Sequence, residues 1–368
     1  MAMAEESGAT SAGDGMTYAP TGKPAPVCEP GAFVFAAAAL DHGHIYGQCN
    51  GLVGAGGEVR WVYDPDPAKV AAFRERFPGA RPARALDEIL DDPDVRLVAA
   101  AAVPCDRGPL GLRVMAADKD YFTDKTPFTS LDQLAAARRA VEETGRKYLV
   151  YFSERLHVEC AVFAGALIAQ GAIGRVIHVL GLGPHRLGPP DGRPDWFYRK
   201  AQYGGILCDI GSHQCEQFLF YAGAHDACVT NARVANHAHP AFPELEDFGD
   251  ATLVADNGAS FYFRVDWFTP DGLRTWGDGR TVILGTEGTI ELRKYVDVGS
   301  PRMGNQLYLV NGEGERHLEL EGRVGYPFFG QLILDVLERT ERAMTQAHIF
   351  KAAELCLKAQ AYADATGA

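Results

Sequence analysis

The apolar run Phe33-Val-Phe-Ala-Ala-Ala-Ala-Leu40 leads directly into the polar turn Asp41-His42-Gly43-His44-Ile45, and this junction carries most of the information about the architecture. A run of this length between polar segments predicts a buried strand, and the segment 46–53 behind the turn has helical spacing. A second strand at 58–63 and a second helix at 67–76 follow. Strand, helix and strand in this order predict a parallel pair covered by the helix between its strands.

The same alternation continues to about residue 150. The later predicted elements are a helix at 86–90, a strand at 95–103, a helix at 110–117, a strand at 121–123, a helix at 131–144 and a strand at 147–152. Regular alternation of this kind is typical of a doubly wound parallel sheet with helices on both faces. The fold class predicted for residues 31–150 is therefore α/β, of the Rossmann type.

The second half of the chain has a different texture. Its helices are predicted at 157–169, 209–222, 330–339 and 346–363, and its strands at 259–267, 281–284, 289–293 and 306–310. These strands alternate polar and apolar residues, which predicts a large, mostly antiparallel open sheet. Residues 151–368 are expected to form an α+β domain for substrate binding and oligomerisation, with closing helices that can pack back on the first domain. Residues 1–30 are rich in small residues and proline and are expected to be a flexible tail.

The overall charge argues against whole classes of function. The 368 residues carry a formal net charge of −13 without a basic run, so nucleic acids and anionic membranes are not expected as partners. No apolar run approaches the roughly 20 residues of a membrane span, and the first residues lack the pattern of a signal peptide. The eight cysteines include no CxxC pair, which predicts reduced core thiols. We therefore expect a soluble cytoplasmic protein.

The turn after the first strand is where a Rossmann domain holds the pyrophosphate of a dinucleotide. Here it lacks the GxGxxG sequence, but the strand-turn-helix context is intact, and Asp64 ends the second strand at the separation expected for a ribose ligand. A carboxylate there, followed by Asp66, favours NAD over NADP, whose extra phosphate it would repel. An equally good local interpretation is that Asp64 caps the helix that begins near Pro67.

The same turn permits another interpretation. Asp41, His42 and His44 are residue types that bind metals, but their spacing in a tight turn needs further ligands, which the sequence does not supply. We predict no metal, and we expect polar contacts with nicotinamide or substrate instead. The complete set of expected cofactor contacts is Leu40, Asp41, His42, Gly43, His44, Ile45, Asp64, Val103 and Asp124.

Two later segments supply ionisable groups at the ends of predicted elements. Asp124-Lys125-Thr126-Pro127 follows a strand, and Gly204-Gly205-Ile206-Leu207-Cys208-Asp209-Ile210-Gly211-Ser212-His213 opens a helix. Asp209 and His213 are four residues apart and share one helix face. With Lys125 from another loop, they can move a proton off a hydroxyl while hydride leaves the same carbon. Alone, Asp209 would suit a helix cap and His213 a core histidine; together, behind a Gly-Gly turn, they favour catalysis.

In this order of motifs the chain resembles the glucose-fructose oxidoreductase, inositol dehydrogenase and MocA (Gfo/Idh/MocA) family. The resemblance rests on the nucleotide-type first domain, the lysine motif, the GG-x-L-x-D-x-G-x-H helix motif and Ile283-Leu-Gly-Thr-Glu-Gly-Thr-Ile-Glu291, and it covers residues 33–363. It implies an oxidoreductase that binds a nicotinamide dinucleotide, with a second-domain sheet that mediates dimer or tetramer contacts.

The resemblance also implies roles for single residues. Asp124-Lys125 matches the first two residues of the family's Glu-Lys-Pro motif, which implies that Lys125 binds the substrate hydroxyl and takes part in proton transfer. Asp209 and His213 match the helix motif, so His213 is expected to be the general base and Asp209 a hydrogen-bond partner of the substrate. Arg155 resembles an arginine that follows the nucleotide domain in many members, and it is expected on the substrate side.

Departures from the family pattern fall on the cofactor side. The glycines of the family's phosphate loop appear as Ala39, Asp41 and His44, so the loop cannot follow the usual path unchanged. Thr126 stands where the family motif has a proline directly after the lysine. The usual histidine after the fourth strand is absent, because Pro104-Cys105-Asp106-Arg107 stands there.

Further candidates for substrate binding precede the helix motif. His185 and Arg186 end the first strand of the second domain and are expected to face the active site. Arg186 would suit an anionic substrate group, although an exposed arginine is more often only solvated. Trp196 is a large apolar plate of the kind that stacks on a sugar face, or alternatively an anchor of its own loop.

The leading hypothesis is an NAD-dependent oxidoreductase that acts on a secondary alcohol of a sugar, cyclitol or related polyol, as a homodimer or homotetramer. A second hypothesis keeps NAD bound and recycles it, so that a glycosidic bond is eliminated without net redox change. A third is a non-catalytic sensor or scaffold for a sugar or nucleotide. Intact Lys125, Asp209 and His213 argue against the third, because burying three ionisable groups destabilises a protein that does not use them.

Overall fold

The structure is a computed structural model that describes residues 15–20, 22, 24–189 and 192–367. The strands are β1 (Val34–Ala38), β2 (Glu58–Tyr63), β3 (Arg81–Pro82), β4 (Val95–Ala100), β5 (Asp120–Asp124), β6 (Tyr148–Tyr151), β7 (Val176–Pro184), β8 (Ala227–Ala235), β9 (Phe248–Ala255), β10 (Ser260–Asp266), β11 (Arg280–Gly285), β12 (Gly288–Arg293), β13 (Gln306–Asn311) and β14 (Gly314–Glu319). The helices are α1 (His44–Gly54), α2 (Pro67–Arg76), α3 (Leu86–Leu90), α4 (Pro104–Ala116), α5 (Leu131–Thr144), α6 (Ser153–Leu156), α7 (Glu159–Ala169), α8 (Lys200–Tyr203), α9 (Ile206–Asp209), α10 (Gly211–Ala222), α11 (Pro327–Glu338) and α12 (Gln346–Thr366). Among the described residues, no helix combines the length and the apolar character needed to cross a membrane.

The first sheet has six strands in the order β3-β2-β1-β4-β5-β6, and every neighbouring pair is parallel. β1 and β4 are buried almost throughout, because their small and apolar side chains meet helices on both faces. The direction of winding reverses between these two strands. Ligands of such sheets bind in the crevice at the carboxyl ends of the strands at this point, where the turn 40–45 and Asp124 lie.

The second sheet has eight strands in the order β14-β13-β12-β11-β7-β10-β9-β8. β7 and β10 are parallel, and the other neighbouring pairs are antiparallel. Helix α10 packs on one face, where the rings of Phe218 and Phe261 stack at 4.6 Å. The other face leaves Val254, Leu284 and Val310 exposed. The predicted fold class, a Rossmann-type parallel sheet followed by a mostly antiparallel open sheet, is confirmed.

Single elements differ from the sequence-based expectation in two ways. Helix α4 begins at Pro104, well before the predicted start at residue 110, because proline is well accommodated in the first turn of a helix. Strands β3, β8, β9 and β14 are not predicted, and the single helix expected at 209–222 is divided between the end of α9 and α10. β14 is almost entirely exposed and carries charged residues, so it lacks the apolar alternation that identifies a strand.

The N-terminal segment, which we define as residues 15–20, 22 and 24–30, is packed against the body of the protein. Asn50 Nδ2 donates to the carbonyl of Pro20 at 3.0 Å, and Nε2 of His157 lies 3.1 Å from the carbonyl of Gly22. This part of the chain is therefore not the flexible tail that its composition predicts, because long-range contacts offset the entropy of ordering it. Residues 1–14, 21 and 23 lie outside the described residues.

The closing helices pack back on the first domain. Arg138 of α5 donates to Glu354 of α12 at 2.7 Å and lies over the ring of Phe350. Gln346, at the start of α12, accepts from and donates to the backbone of Tyr148 in β6. These contacts tie the two domains together beside the cleft between them.

Candidate active site

Asp64 fixes the turn between β1 and α1. Its carboxylate accepts from the N–H of Leu40 at 2.7 Å and from the N–H of Asp66 at 2.9 Å. Ala39, in place of a family glycine, adopts a left-handed conformation with φ 52°, which costs a non-glycine residue about 1–2 kcal/mol. The cap of α2 is Asp66, which accepts from the N–H of Ala68 at 2.8 Å. The helix-capping interpretation therefore holds for Asp66 and not for Asp64.

The N-terminus of α1 has unused donors. No described residue accepts from the N–H groups of Asp41 and Gly43, whereas those of His42 and His44 are bonded. One of these N–H groups belongs to the N-cap Gly43 and the other lies two residues before it, at the positive end of the dipole of an 11-residue helix. N–H groups in this position can bind a phosphate. Ile45 is buried in the first core and contributes packing. This turn therefore fits the pyrophosphate of a dinucleotide.

The edge beside this turn, where the ribose would lie, is acidic. Lys69 Nζ lies 2.5 Å from Asp41 and 3.9 Å from Asp64, and it offsets one of the two carboxylates. Each carboxylate oxygen of Asp64 has a lone pair left after its backbone bond, so it can still accept from a ribose hydroxyl. A net negative edge repels the additional phosphate of NADP.

Asp124 gathers three basic side chains around one buried carboxylate. Nδ1 of His44 lies 2.9 Å from its Oδ1, Nδ1 of His42 lies 3.7 Å from its Oδ2, and Arg107 donates to Oδ2 at 3.2 Å. Burial alone would raise the pKa of Asp124, but His44 and Arg107 hold it well below its usual value.

His42, His44 and Asp124 offer ligand atoms within 4.8 Å of one another, close enough to share a metal ion. The guanidinium of Arg107 disfavours a cation there.

Arg107 also holds the backbone of the lysine motif. Its side chain is fully buried and donates to the carbonyls of Lys125 and Thr126. The peptide bond between these two residues is cis. Val103, the residue before α4, lies at the same edge and begins the turn that carries Arg107.

Lys125 and Asp209 meet across the cleft between the two domains. Lys125 Nζ donates to Oδ1 of Asp209 at 2.6 Å, and the two residues are 4% and 7% exposed. Burial alone would raise the pKa of Asp209, but the Lys125 ammonium outweighs it and leaves the pKa below its usual value. Gly204 and Gly205 both have positive φ, 89° and 92°, and they turn the chain into helix α9, which ends at Asp209.

His213 lies on α10, close to this ion pair. Burial lowers its pKa to about 3, so the ring is neutral at physiological pH and can accept a proton. Burial also lowers the pKa of His185 to about 4, and the charges of Glu154, Lys125 and Asp209 act on it. The structure thus brings Lys125, Asp209, His185 and His213 into one cluster.

No sequence motif points to Glu154, a carboxylate of α6 that is 1% exposed. Its Oε2 accepts from Lys294 Nζ at 2.9 Å and from Gln214 Nε2 at 3.1 Å. Burial alone would raise the pKa of Glu154, but Lys294 and nearby histidines lower it to about 2. Oε1 of Glu154 and Nδ1 of His213 have no hydrogen-bond partner among the described residues.

Aromatic side chains line both sides of the cleft. The ring of Trp276 lies 4.4 Å from that of His185 and 4.5 Å from that of Tyr295, measured between centroids. Trp196 is half-buried, and its ring lies 6.5 Å from that of His42. Large apolar plates beside polar groups are typical of sites that bind sugars.

The N-terminal segment crosses this cleft. The carbonyl of Gly15 lies 3.1 Å from Nε2 of His44 in the first domain, and a Cβ on Gly15 would lie 2.9 Å from the ring of His185 in the second. Tyr18 packs against Trp276, with ring centroids 5.3 Å apart. A side chain at position 15 would therefore require the ring of His185 to move. No motif in the sequence points to this contact.

Two arginines expected on the substrate side are engaged with the protein instead. Arg155 Nε donates to Glu216 at 2.7 Å, and its guanidinium lies 3.8 Å from the ring centroid of Phe220. Arg186 donates to two carbonyls of the loop 270–273, at 2.8 and 2.7 Å. These partners engage both guanidinium groups, so we correct their assignment from substrate contact to structural support.

Two family models match the chain. The model of the oxidoreductase family, NAD-binding Rossmann fold, matches residues 35–152, and the model of the GFO/IDH/MocA C-terminal domain matches residues 163–291. The first match includes Asp64 and Lys125. The second includes Asp209 and His213.

Individual relatives extend this comparison. A candidate oxidoreductase from Erwinia carotovora atroseptica SCRI1043, known from its crystal structure, is 52% identical with a TM-score of 0.87, and the match covers 90% of this chain and 98% of that one. A scyllo-inositol 2-dehydrogenase (NAD(+)) of Bacillus subtilis (strain 168) is 27% identical over 55% of this chain and 56% of its own. A D-xylose dehydrogenase of Paenarthrobacter nicotinovorans is 25% identical over 56% of this chain and 52% of its own. The chain thus spans about half the length of these two dehydrogenases.

Proposed function

The chain belongs to the Gfo/Idh/MocA family of oxidoreductases, and on that premise we propose that it transfers hydride between a secondary alcohol of a sugar, cyclitol or related polyol and a nicotinamide dinucleotide. The observation that carries this proposal is the buried ion pair of Lys125 and Asp209 beside the neutral ring of His213. Ionisable groups clustered in a cleft with shifted pKa values are typical of catalytic sites.

Each of these groups has its own task in the reaction. A bound dinucleotide supplies the hydride acceptor. His213 takes the proton of the substrate hydroxyl while the hydride leaves the same carbon, so that a carbonyl forms. Lys125 donates to the oxygen of that hydroxyl and stabilises the negative charge that develops on it. Asp209 holds the ammonium of Lys125 in place, and Arg107 holds the lysine's backbone.

NAD is the proposed cofactor, in preference to NADP. The amides of Asp41 and Gly43 are available to the pyrophosphate, and Asp64 to the hydroxyls of the adenosine ribose. The added phosphate of NADP would meet the carboxylates of Asp41 and Asp64, which Lys69 offsets only in part.

A polyhydroxylated ring is the proposed substrate. Scyllo-inositol and D-xylose, named for the two partial relatives, both belong to this class. Trp196, which is half-buried and lies near His42, offers an apolar face next to groups that can bond hydroxyls.

Turnover tests the proposal. The purified protein with NAD and a panel of polyols that includes scyllo-inositol and D-xylose should form NADH, and His213→Ala should lower the rate by at least about 100-fold. His239→Ala is the control, because His239 lies in the loop between β8 and β9, where its Nδ1 is 2.9 Å from Asp247. Sugar release without net NADH would instead identify the redox-neutral reaction. Inertness toward the whole panel would count against both enzymatic hypotheses and favour a sensor.

We also propose that the open face of the second sheet joins copies of the chain. Val254, Leu284 and Val310 are all at least 37% exposed on this face and lie in one cross-strand row. Exposed apolar rows of this kind mark protein interfaces. Light scattering should give the mass of a dimer or tetramer, and Leu284→Asp should shift it toward the monomer.

A further inference from the structure

The cleft contains buried polar atoms that the proposed reaction does not use. Oε1 of Glu154, the hydroxyl of Tyr295 and Nε1 of Trp276 have no hydrogen-bond partner among the described residues. These residues are 1%, 5% and 4% exposed, so bulk water does not compensate. Nearly all buried polar groups in folded proteins are paired, and a set of unpaired groups in one place indicates a missing polar ligand or ordered water.

These three atoms belong to one part of the cleft. The rings of Trp276 and Tyr295 are 4.5 Å apart, and that of His185 lies 4.4 Å from Trp276. Lys294, which precedes Tyr295 in the chain, and Gln214, which follows His213, both donate to Oε2 of Glu154, at 2.9 and 3.1 Å. The unpaired atoms therefore lie beside the proposed base.

The unpaired atoms complement one another as a hydroxyl site. Glu154 is ionised, so its Oε1 can only accept, whereas Nε1 of Trp276 can only donate, and the Tyr295 hydroxyl can do both. A hydroxyl group donates one hydrogen bond and accepts others, so it can satisfy an acceptor and a donor at once. Oε2 of Glu154 is held by Lys294 and Gln214, which fixes the direction of Oε1.

Tyr18 closes the outer side of this region. Its ring packs against Trp276 at 5.3 Å and against Tyr295 at 5.7 Å. A hydroxyl inside would be separated from solvent, where a hydrogen bond to a carboxylate discriminates strongly between ligands that have the hydroxyl and ligands that lack it.

We propose that Glu154, Tyr295 and Trp276 form a subsite for a second hydroxyl of the substrate, other than the one that is oxidised. The inference rests on the proposed function and makes it more specific. The subsite selects a polyol over a simple secondary alcohol, and the charged bond to Glu154 fixes the ring so that the reacting carbon faces Lys125 and His213.

Binding measurements on variants test the subsite without relying on turnover. Glu154→Gln replaces the charged acceptor with a neutral amide, but it also leaves the buried ammonium of Lys294 without its ion-pair partner. The double variant Glu154→Gln with Lys294→Met removes that unpaired charge and so guards against a folding defect. Glu216→Gln is the matched control, because Glu216 is also fully buried and also bonded to a basic residue, Arg155. Calorimetry with NADH-loaded protein then measures the affinity for scyllo-inositol, D-xylose and cyclohexanol.

We expect the wild type to bind at least one polyol and both Glu154 variants to bind it about 10- to 100-fold more weakly, with no change in the control. Cyclohexanol, a ring with a single hydroxyl, should bind weakly and equally to all variants. Wild-type affinity in both Glu154 variants, equal affinity for cyclohexanol and polyol, or no polyol binding at all would overturn the subsite. Polyol binding that depends on Glu154 without any hydride transfer would refute the proposed oxidation and leave the subsite intact.

Discussion

Lys125 shows how a single ammonium is aimed by residues that are distant in the sequence. Arg107 of α4 donates to the backbone carbonyls of Lys125 and Thr126. Asp209 of α9 accepts a hydrogen bond from Nζ of Lys125 at 2.6 Å. Fixing both ends of a long side chain removes the rotamer freedom that would otherwise be lost on substrate binding. The charge therefore stands ready where negative charge develops on the substrate oxygen.

Replacing Lys125 with methionine should abolish this electrostatic help. We expect kcat of Lys125→Met to fall by about 10³-fold, because a donor aimed at a developing oxyanion contributes on this scale. The measurement is steady-state NADH formation with the best polyol. Lys119→Met is the control, since Lys119 is also 4% exposed but bonds to the carbonyls of Asp92 and Val95. A rate within a few-fold of wild type would remove Lys125 from the mechanism.

Asp64 should set the preference between the two dinucleotides. A ligand that binds only the folded protein raises its melting temperature with concentration, so thermal unfolding can be titrated with NAD and with NADP. We expect stabilisation by NAD and much less by NADP. Asp64→Asn should narrow that difference, because it removes a charge that repels the extra phosphate. Equal stabilisation by both dinucleotides in the wild type would contradict the role given to Asp64.

At the scale of elements, the N-terminal segment acts as a connection between the two domains. Gly15 contacts His44 of α1 and the ring of His185 after β7, and Tyr18 covers Trp276. Its position over the aromatic side of the cleft makes it part of the wall around a bound substrate.

Removing residues 1–23 should therefore weaken both stability and binding. We expect a melting temperature lower by several degrees, since buried aromatic contacts and hydrogen bonds to Pro20 and Gly22 are lost. Polyol affinity should fall as well, because Tyr18 no longer encloses the cleft. Differential scanning calorimetry and the binding assay measure the two effects. An unchanged melting temperature would show that the segment does not hold the domains.

Features that depend on residues close together in the sequence can be predicted from it, whereas contacts between distant residues cannot. The Rossmann half is predicted because its apolar strands and the polar turn at Asp41 are local signals, and Asp209 and His213 can be proposed from the sequence because they lie only four residues apart. The sequence does not predict roles for Arg107 and Glu154, because these roles depend on the distant partners Asp124 and Lys294. The family resemblance predicts Arg155 on the substrate side, and only the structure shows its pairing with Glu216.

For the molecule as a whole, the buried histidines make acid destabilising. Burial lowers the pKa values of His157, His185 and His213 to about 4, 4 and 3 in the folded protein, whereas an unfolded histidine titrates near 6.5. Between these values the unfolded chain binds more protons, so stability is complete above pH 6.5 and is lost as the pH falls toward 4. Glu154 and Glu216, both with pKa about 2, continue the loss in the same direction below pH 4.5.

A pH series of thermal unfolding checks this expectation. Each histidine contributes up to about 1.4 kcal/mol per pH unit within its window. We therefore expect the melting temperature at pH 5 to lie several degrees below that at pH 7, and little change from these groups between pH 7 and 8. A melting temperature that stays constant or rises on acidification would mean that these rings are not buried in the neutral form.

In the proposed reaction, hydride passes between a polyol and the dinucleotide in this cleft. The most direct measurement uses a carbon-deuterated polyol with NAD and follows deuterium into the nicotinamide ring by mass spectrometry. The reaction is stopped within a single turnover, because a dinucleotide that is recycled in place would return the deuterium to the substrate. We expect deuterium in the nicotinamide with the wild type and labelling about 10³-fold slower with Lys125→Met. A nicotinamide that stays unlabelled, although NAD and the polyol both bind, would contradict the proposed function.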